Sequence, residues 1–447
     1  MRTSWMLYLL LAVLAGCRSG PRHGGEEEAV EVEAAHAERV PRIGHDQGEA
    51  PFESKPFTLE EVRARILGLA TPRLSAESFR PAEARGRVDQ AGLWPNPYLK
   101  FLKRGGEDFD VYGTGLTALE IGQPIELGGK RSSRTRRAKA EAAVAVQAFH
   151  AVTLEALLDA EVQFTRVLRL QQDLAEAKQE AKTAGDLEAL SSARFASGKD
   201  SRIALLRFQA AAENARLAVQ DLERRHSRSC QVLDGLLGVK AGTTTGVEGS
   251  WSSAVLSEPE RQDVRKNLLH HPQLLAAGQS VTAADRAVES STADAWPDVT
   301  LGLVYRRDQD EKEDVFGLMV KLPLPVLNRN QGVRAESRAR ARRARKNLEA
   351  ETLKLNAELE AALISYSKAV RNVAGYEEDI LPKLEQSLAL TRSAYRAGRA
   401  SYLDVLDSLL ALIRTRRERL DHLEERGRAA AKIRYLAGWS VNQRQSR

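Results

Sequence analysis

The amino-acid sequence predicts a mainly α-helical chain that carries a small set of membrane-crossing β-strands and is organised as a tandem repeat. Three observations predict it. First, four landmarks recur in the same order at an offset close to 200 residues. They are LWPNP (Leu93–Pro97) with AWPDV (Ala295–Val299), Pro124 with Pro323, the triplet Phe195, Gly198, Ser201 with Tyr395, Gly398, Ser401, and Leu236–Gly238 with Leu436–Gly438. Second, Gly129–Ala196 holds no proline and Gly332–Ala397 holds only Pro382, while apolar residues recur at three- and four-residue spacing. Third, segments of about ten residues alternate apolar with small or polar residues, the length and period of a tilted strand crossing a bilayer.

In chain order, residues 1–16 carry Arg2, an apolar run from Trp5 to Val13 and small residues before Cys17. That is the pattern of a secretory signal, too short to span as an ordinary helix. Leu14-Ala15-Gly16-Cys17 resembles the bacterial lipobox, which makes Cys17 the lipidated first residue of the mature chain. Arg18 after it favours the outer membrane. Residues 17–56 are polar and read as a flexible tether, whose His23, His36 and His45 are taken as solvated rather than as a metal site. Cys230 is the only other cysteine, so an exported chain relies on packing or assembly rather than on disulfides. Hydrophobic residues at 43%, charged residues at 29% and aromatics at 5% exclude both a disordered chain and a helical membrane protein. The net charge of +6 is too mild for a dedicated nucleic-acid binder, and export argues further against nucleic acid as a partner.

The first repeat occupies residues 57–240 and the second 273–440. Between them, 241–272 reads as a linker with the start of a lead-in helix, and 441–447 reads as a tail. Each repeat opens with a helical lead-in, at 82–93 and 274–295, followed by two strands around a polar turn. Val299, Leu301, Leu303 and Tyr305 alternate with Thr300, Gly302, Val304 and Arg306; Phe316, Leu318, Val320 and Leu322 alternate with Val315, Gly317, Met319 and Lys321. The first-repeat pair, 98–103 and 111–121, is a weaker match. Hairpins of a soluble domain would alternate in the same way. Aromatics near the strand ends (Trp94, Tyr98, Tyr112, Trp296, Tyr305, Phe316) suit interfacial girdles. Four strands cannot close a barrel, and an open edge in lipid leaves backbone groups without partners. Strands that cross the membrane therefore require several chains to share one barrel.

The long helices follow, each interrupted by the glycine motif. A glycine between two apolar-striped helices is a reversal, and Ser201 and Ser401 suit the N-caps of the returning helices. Each repeat is then a helical hairpin whose tip lies farthest from the strands. Two basic clusters begin the long helices, Lys130, Arg131, Arg134, Arg136, Arg137, Lys139 and Arg334, Arg338, Arg340, Arg342, Arg343, Arg345, Lys346. Lys130, Arg131, Arg134, Arg334 and Arg338 are candidates for anionic phospholipid headgroups at the inner face of the membrane; a solvated helix face is the competing reading.

No catalytic constellation is present in the sequence. Pro124–Arg131 (PIELGGKR) departs from a phosphate loop at the first glycine and at the final Ser/Thr. His270-His271 sits before Pro272 with no third ligand nearby. Neither an enzyme, a metal site nor a cofactor is expected.

LWPNP, LEIGQPIELGGKR, AWPDVTLGLVYR, VKLPLPVLNRNQG and AYRAGRASYLDVLD together resemble the outer membrane factors of the TolC family, nearest the branch serving cation and heavy-metal efflux. The resemblance covers residues 57–440. It implies a homotrimer whose twelve strands form one barrel, continued by an α-helical periplasmic tunnel. It also implies a passive conduit, joined by a periplasmic membrane-fusion adaptor to an inner-membrane pump of the resistance-nodulation-division type. Carried over, Phe195, Gly198, Ser201, Tyr395, Gly398 and Ser401 dock the adaptor, and Asp404 lines the periplasmic aperture. Ala204 stands at the matching first-repeat position, and Ala400 stands where the family's gate has an arginine, so a gate here needs other partners. The competing reading is a lipid-anchored periplasmic coiled-coil protein without a pore, which leaves the paired amphipathic hairpins without a purpose.

Overall fold

The computed structural model describes residues 55–104, 116–308 and 313–438. The signal segment, Cys17, nearly all of the tether, Val111, Tyr112 and the 441–447 tail lie outside the described residues. Strand β1 (Lys55–Thr58) begins inside the stretch read as tether and leads into α1 (Leu59–Leu67), α2 (Pro72–Glu77) and α3 (Arg80–Gly92). Thr58 opens α1 with a capping box: its hydroxyl accepts the Glu61 N–H at 3.2 Å, and its own N–H donates to the Glu61 carboxylate at 2.9 Å. Strands β2 (Tyr98–Arg104) and β3 (Leu116–Ile125) precede α4 (Lys130–Ala196), a single helix of 67 residues. At the rise of an α-helix that is a rod of about 100 Å.

Helix α5 (Arg202–Leu237) returns along α4; β4 (Thr244–Glu248), a 3₁₀ turn (Trp251–Ala254) and α6 (Glu258–Leu268) follow. The second repeat then runs α7 (Pro272–Ala293), β5 (Val299–Asp308), β6 (Asp314–Lys321), α8 (Gln331–Ala374), α9 (Leu381–Arg396) and α10 (Tyr402–Leu436). Between α8 and α9, Gly375–Ile380 widen into a π-helical turn. Pro382 in the first turn of α9 offers no N–H to the preceding turn, and a wider turn absorbs the mismatch. Lys182 occupies the matching place in α4, which continues as α-helix.

Strands β2, β3, β5 and β6 form one antiparallel sheet in that order, and β1 pairs in parallel with β4. The interval 241–272 holds β4, the 3₁₀ turn and α6. Asp234, 1% exposed, fixes its start. Its carboxylate accepts the Gly242 N–H at 2.7 Å, the Thr244 N–H at 2.9 Å and the Thr244 hydroxyl at 2.5 Å, so a buried acid is fully satisfied.

The apolar stripes meet in separate clusters along the rods. Leu154, Leu256, Leu355, Tyr366 and Ile433 form one, and Val62, Ile66, Leu157, Phe164, Leu233 and Val247 a second around β1 and β4. A third, of Leu187, Phe208, Tyr395, Val405 and Leu409, ties the two hairpins together near their tips. Each such side chain contributes about 1.5–3 kcal/mol of burial. Between the clusters α4 and α10 exchange charge. Arg169 of α4 pairs with Asp421 of α10 at 2.8 Å and Arg419 of α10 with Glu176 of α4 at 2.6 Å, while Asp173, on α4 itself, lies 3.4 Å from Arg169. The two helices also approach closely, because a Cβ on Gly427 would lie 2.5 Å from Thr165 Cγ2.

Candidate functional site

The two hairpin tips are built alike. After α4, Gly198 takes φ 71°, and after α9, Gly398 takes φ 73°, a left-handed conformation that strains any residue bearing a Cβ. The turns close in the same manner. Gly198 N–H donates to the Phe195 carbonyl at 2.9 Å and Lys199 N–H to Arg194 at 2.8 Å; Gly398 donates to Tyr395 at 2.9 Å and Arg399 to Ala394 at 2.8 Å. Ser201 Oγ accepts the Ala204 N–H at 3.2 Å, and Ser401 Oγ accepts the Asp404 N–H at 3.3 Å. Both serines are N-caps, as their position predicts. Asp404 completes a capping box, accepting the Ser401 N–H at 2.8 Å and its hydroxyl at 2.9 Å. That backbone bond, followed by the hydroxyl, holds the Asp404 carboxyl below its ordinary value.

The tips differ in their aromatic residue. Phe195 is 41% exposed, whereas Tyr395 is 1% exposed and packs on Phe208 with ring centroids 5.7 Å apart. The Tyr395 hydroxyl donates to Asp200 Oδ2 of the other hairpin. Asp200 also accepts from Arg194 Nε at 3.1 Å and from the Ser191 hydroxyl at 3.4 Å. Arg194 lies over the Tyr395 ring at 4.7 Å and donates to the Arg396 carbonyl at 3.4 Å. Burial first, and then the Asp200 bond, push the Tyr395 phenol up. Asp200 and Arg194 thus join the two tips, and the sequence reading did not single them out. The signal was available: Asp200 stands two residues after Gly198, where the second motif has Ala400.

At the opposite end of the rods, the sheet separates two faces. Register places Leu99 opposite Ile121 and Phe101 opposite Leu119, then Ile121 opposite Leu303, and Leu303 opposite Leu318. These residues lie on one face, and Phe101, Leu303, Phe316 and Leu318 are 64%, 59%, 67% and 86% exposed. The other face is mixed, with Tyr98, Lys100, Glu120 and Arg306 beside Gly122, Gly302, Leu102, Val304, Val315 and Met319. There Tyr98 donates to Glu120 at 2.6 Å, and Lys100 lies 3.8 Å from the same carboxylate. An exposed apolar face across four strands, backed by one that carries the sheet's Lys100, Glu120 and Arg306, is a surface suited to lipid on one side and water on the other.

The basic clusters sit at the root of the sheet, where α4 and α8 begin. Lys130 Nζ pairs with Asp298 at 2.7 Å; Arg134 pairs with Glu126 at 2.6 Å and donates to the carbonyls of Ala91 and Leu93. The Arg131 guanidinium lies over the Trp94 ring at 4.3 Å. Arg334 is half-buried, with its Nε unpartnered among the described residues. Arg338 is exposed. No group of three or more His, Cys, Asp or Glu is placed to hold a metal among the described residues. His271 is instead a fully buried N-cap of α7: Nδ1 accepts the Gln273 N–H at 3.3 Å, and the ring packs edge-on to Tyr435. Burial pushes its imidazole down to about 4.

This geometry has parallels in known proteins. The chain is 26% identical over 383 residues to the cobalt-zinc-cadmium resistance protein CzcC of Cupriavidus metallidurans, covering 86% of this chain and 90% of that one. Its fold matches the solved structure of CusC with a TM-score of 0.73 at 17% identity, over 85% of this chain and 91% of the other. The outer membrane protein VceC of Vibrio cholerae matches with a TM-score of 0.71 at 18% identity, over 85% and 96%. The model of a family described as outer membrane efflux protein matches residues 69–239 and 264–439, most of both repeats. The chain belongs to the outer membrane efflux protein family.

Proposed function

We propose that this chain is the outer-membrane channel of a tripartite efflux system, a passive conduit through which heavy-metal cations leave the cell. The observation that carries the reading is the sheet: four strands, an exposed apolar face, a reverse face that holds its charged residues and, among the described residues, two open edges, mounted on long helical rods. Alone, those edges would leave backbone groups unsatisfied in lipid. Three copies supply twelve strands and close one barrel, and their helices continue it as a periplasmic tunnel. The matching landmarks of residues 57–240 and 273–440 support a tandem repeat that supplies two hairpins per copy.

Cys17 carries the lipid anchor in this reading. The tips at Phe195, Gly198, Ser201, Tyr395, Gly398 and Ser401 meet the hairpins of a periplasmic adaptor, which joins the channel to a resistance-nodulation-division pump. Phe195, Ile203 and Leu403 offer exposed apolar side chains at these tips, whereas the Tyr395 side chain is 1% exposed and engages Asp200, so its motif contributes through the turn around it. The periplasmic aperture is held by Tyr395, Asp200 and Arg194, with Asp404 beside them. At the root, Lys130, Arg131 and Arg134 brace the strands, leaving Arg334 and Arg338 for phospholipid headgroups. Heavy metals as cargo rest on the likeness to CzcC. A conduit draws its selectivity from pore charge and from its pump, so it needs no resident metal site.

Deleting the gene and measuring sensitivity to cobalt, zinc, cadmium and a panel of drugs tests the cargo. Sensitivity to the metals alone, restored by the intact gene, is the expected result. Sensitivity to drugs alone would overturn the metal assignment, and unchanged sensitivity to all of them would overturn the efflux role in that host.

A further inference from the structure

Among the described residues, the outer strands of the sheet, β2 and β6, each present an unpaired edge. We infer that β6 of one copy pairs antiparallel with β2 of the next in one defined register, with Val320 opposite Phe101 and Leu322 opposite Leu99. The inference rests on the shared-barrel reading and goes beyond it by fixing which residues meet.

Within one chain, the first repeat meets the second where β3 pairs with β5, with Ile121 opposite Leu303 and Gln123 opposite Leu301. A ring of such chains alternates first and second repeats. The joint between copies, second repeat to first, is therefore the same kind of joint. Pro124 recurs as Pro323, which maps β3 onto β6 by 199 residues, and Trp296 recurs as Trp94, which maps β5 onto β2 by 202. Applying both shifts turns Ile121–Leu303 into Val320–Phe101, and Gln123–Leu301 into Leu322–Leu99.

Exposure gives an independent check. Side chains alternate between faces, so a slip of one residue would set apolar residues against the polar face. The derived register instead joins Val320, 69% exposed, to Phe101, 64%, and Leu322, 49%, to Leu99, 67%. The apolar face then continues unbroken across the joint. On the other face Lys321 falls beside Lys100, whose charge Glu120 already shares at 3.8 Å. A further feature agrees. Strand β6 stops at Lys321 while β3 extends to Ile125, the counterpart of Leu324; Leu324 is 75% exposed and lies where a neighbouring strand would extend β6.

The test uses the full-length protein in outer-membrane vesicles, with the paired substitutions Phe101→Cys and Val320→Cys. Off-register controls combine Phe101→Cys with Leu318→Cys or with Leu322→Cys. Cys230 is buried, with its thiol pushed up to about 11, and does not compete. On oxidation with copper phenanthroline, the 101/320 pair is expected to give covalent dimers and trimers at several-fold higher yield than either control. The detergent-solubilised mass is measured alongside. A trimer that cross-links best through an off-register pair, or through none of them, would overturn the inferred joint and leave the shared barrel standing. A monomer would overturn the barrel reading itself.

Discussion

Tyr395 and Phe195 occupy matching places in two matching motifs, yet one is buried and bonded while the other faces outward. The difference traces to Asp200, which has an alanine as its counterpart and so serves both hairpins. Tyr395→Phe keeps the ring packing on Phe208 and removes one hydrogen bond to a charged acceptor, a loss of about 1.5–3 kcal/mol at that contact. The expected result is a folded channel with higher single-channel conductance or more frequent opening, because the tips are less firmly tied. Unchanged gating in both Tyr395→Phe and Asp200→Asn would show that these residues only pack.

His271 sets a pH dependence at the same scale. Its folded value of about 4 lies below the ordinary 6.5. The contribution of the neutral imidazole is thus fully present above about pH 6.5 and is lost as pH falls towards 4, on the order of 3 kcal/mol in all. Asp173 and Glu180, raised by burial, act with the opposite sign, so the effect is read as a difference. His271→Asn retains an N-cap acceptor and should flatten the fall in thermal stability between pH 6.5 and 4 relative to the native chain.

Among the elements, α10 crosses α4 closely, because Gly427 leaves room for the Thr165 methyl. Gly427→Ala should lower thermal stability by about 1–3 kcal/mol through overpacking. Thr165→Ser removes the methyl and keeps a hydroxyl for the bond to the Glu161 carbonyl, so the double variant should recover most of that loss. The elements also show where sequence reading reaches. Periodicity over many turns placed the first long helix from Gly129 to Ala196, against an observed Lys130–Ala196. Glycine and serine chemistry gave the tips. Strands β1 and β4 escaped, since four and five residues carry no legible period and Lys55 pairs with the distant Thr244. The Tyr395–Asp200 contact escaped for the same reason: it joins two hairpins, and nothing local to either residue announces the other.

For the whole molecule, the account turns on the sheet lying in lipid and on several copies sharing it. Leu318→Arg places a charge on the most exposed position of the apolar face, at about 2–4 kcal/mol if it lies near the bilayer midplane. It should reduce outer-membrane assembly sharply, whereas Leu217→Arg on α5, also exposed, should not. The most direct test of the central claim is single-channel conductance of the purified full-length protein in planar bilayers, with its detergent-solubilised mass measured on the same sample. The account predicts a trimer with discrete conductance steps. A monomer without conductance would contradict it and would favour an anchored coiled-coil protein without a pore.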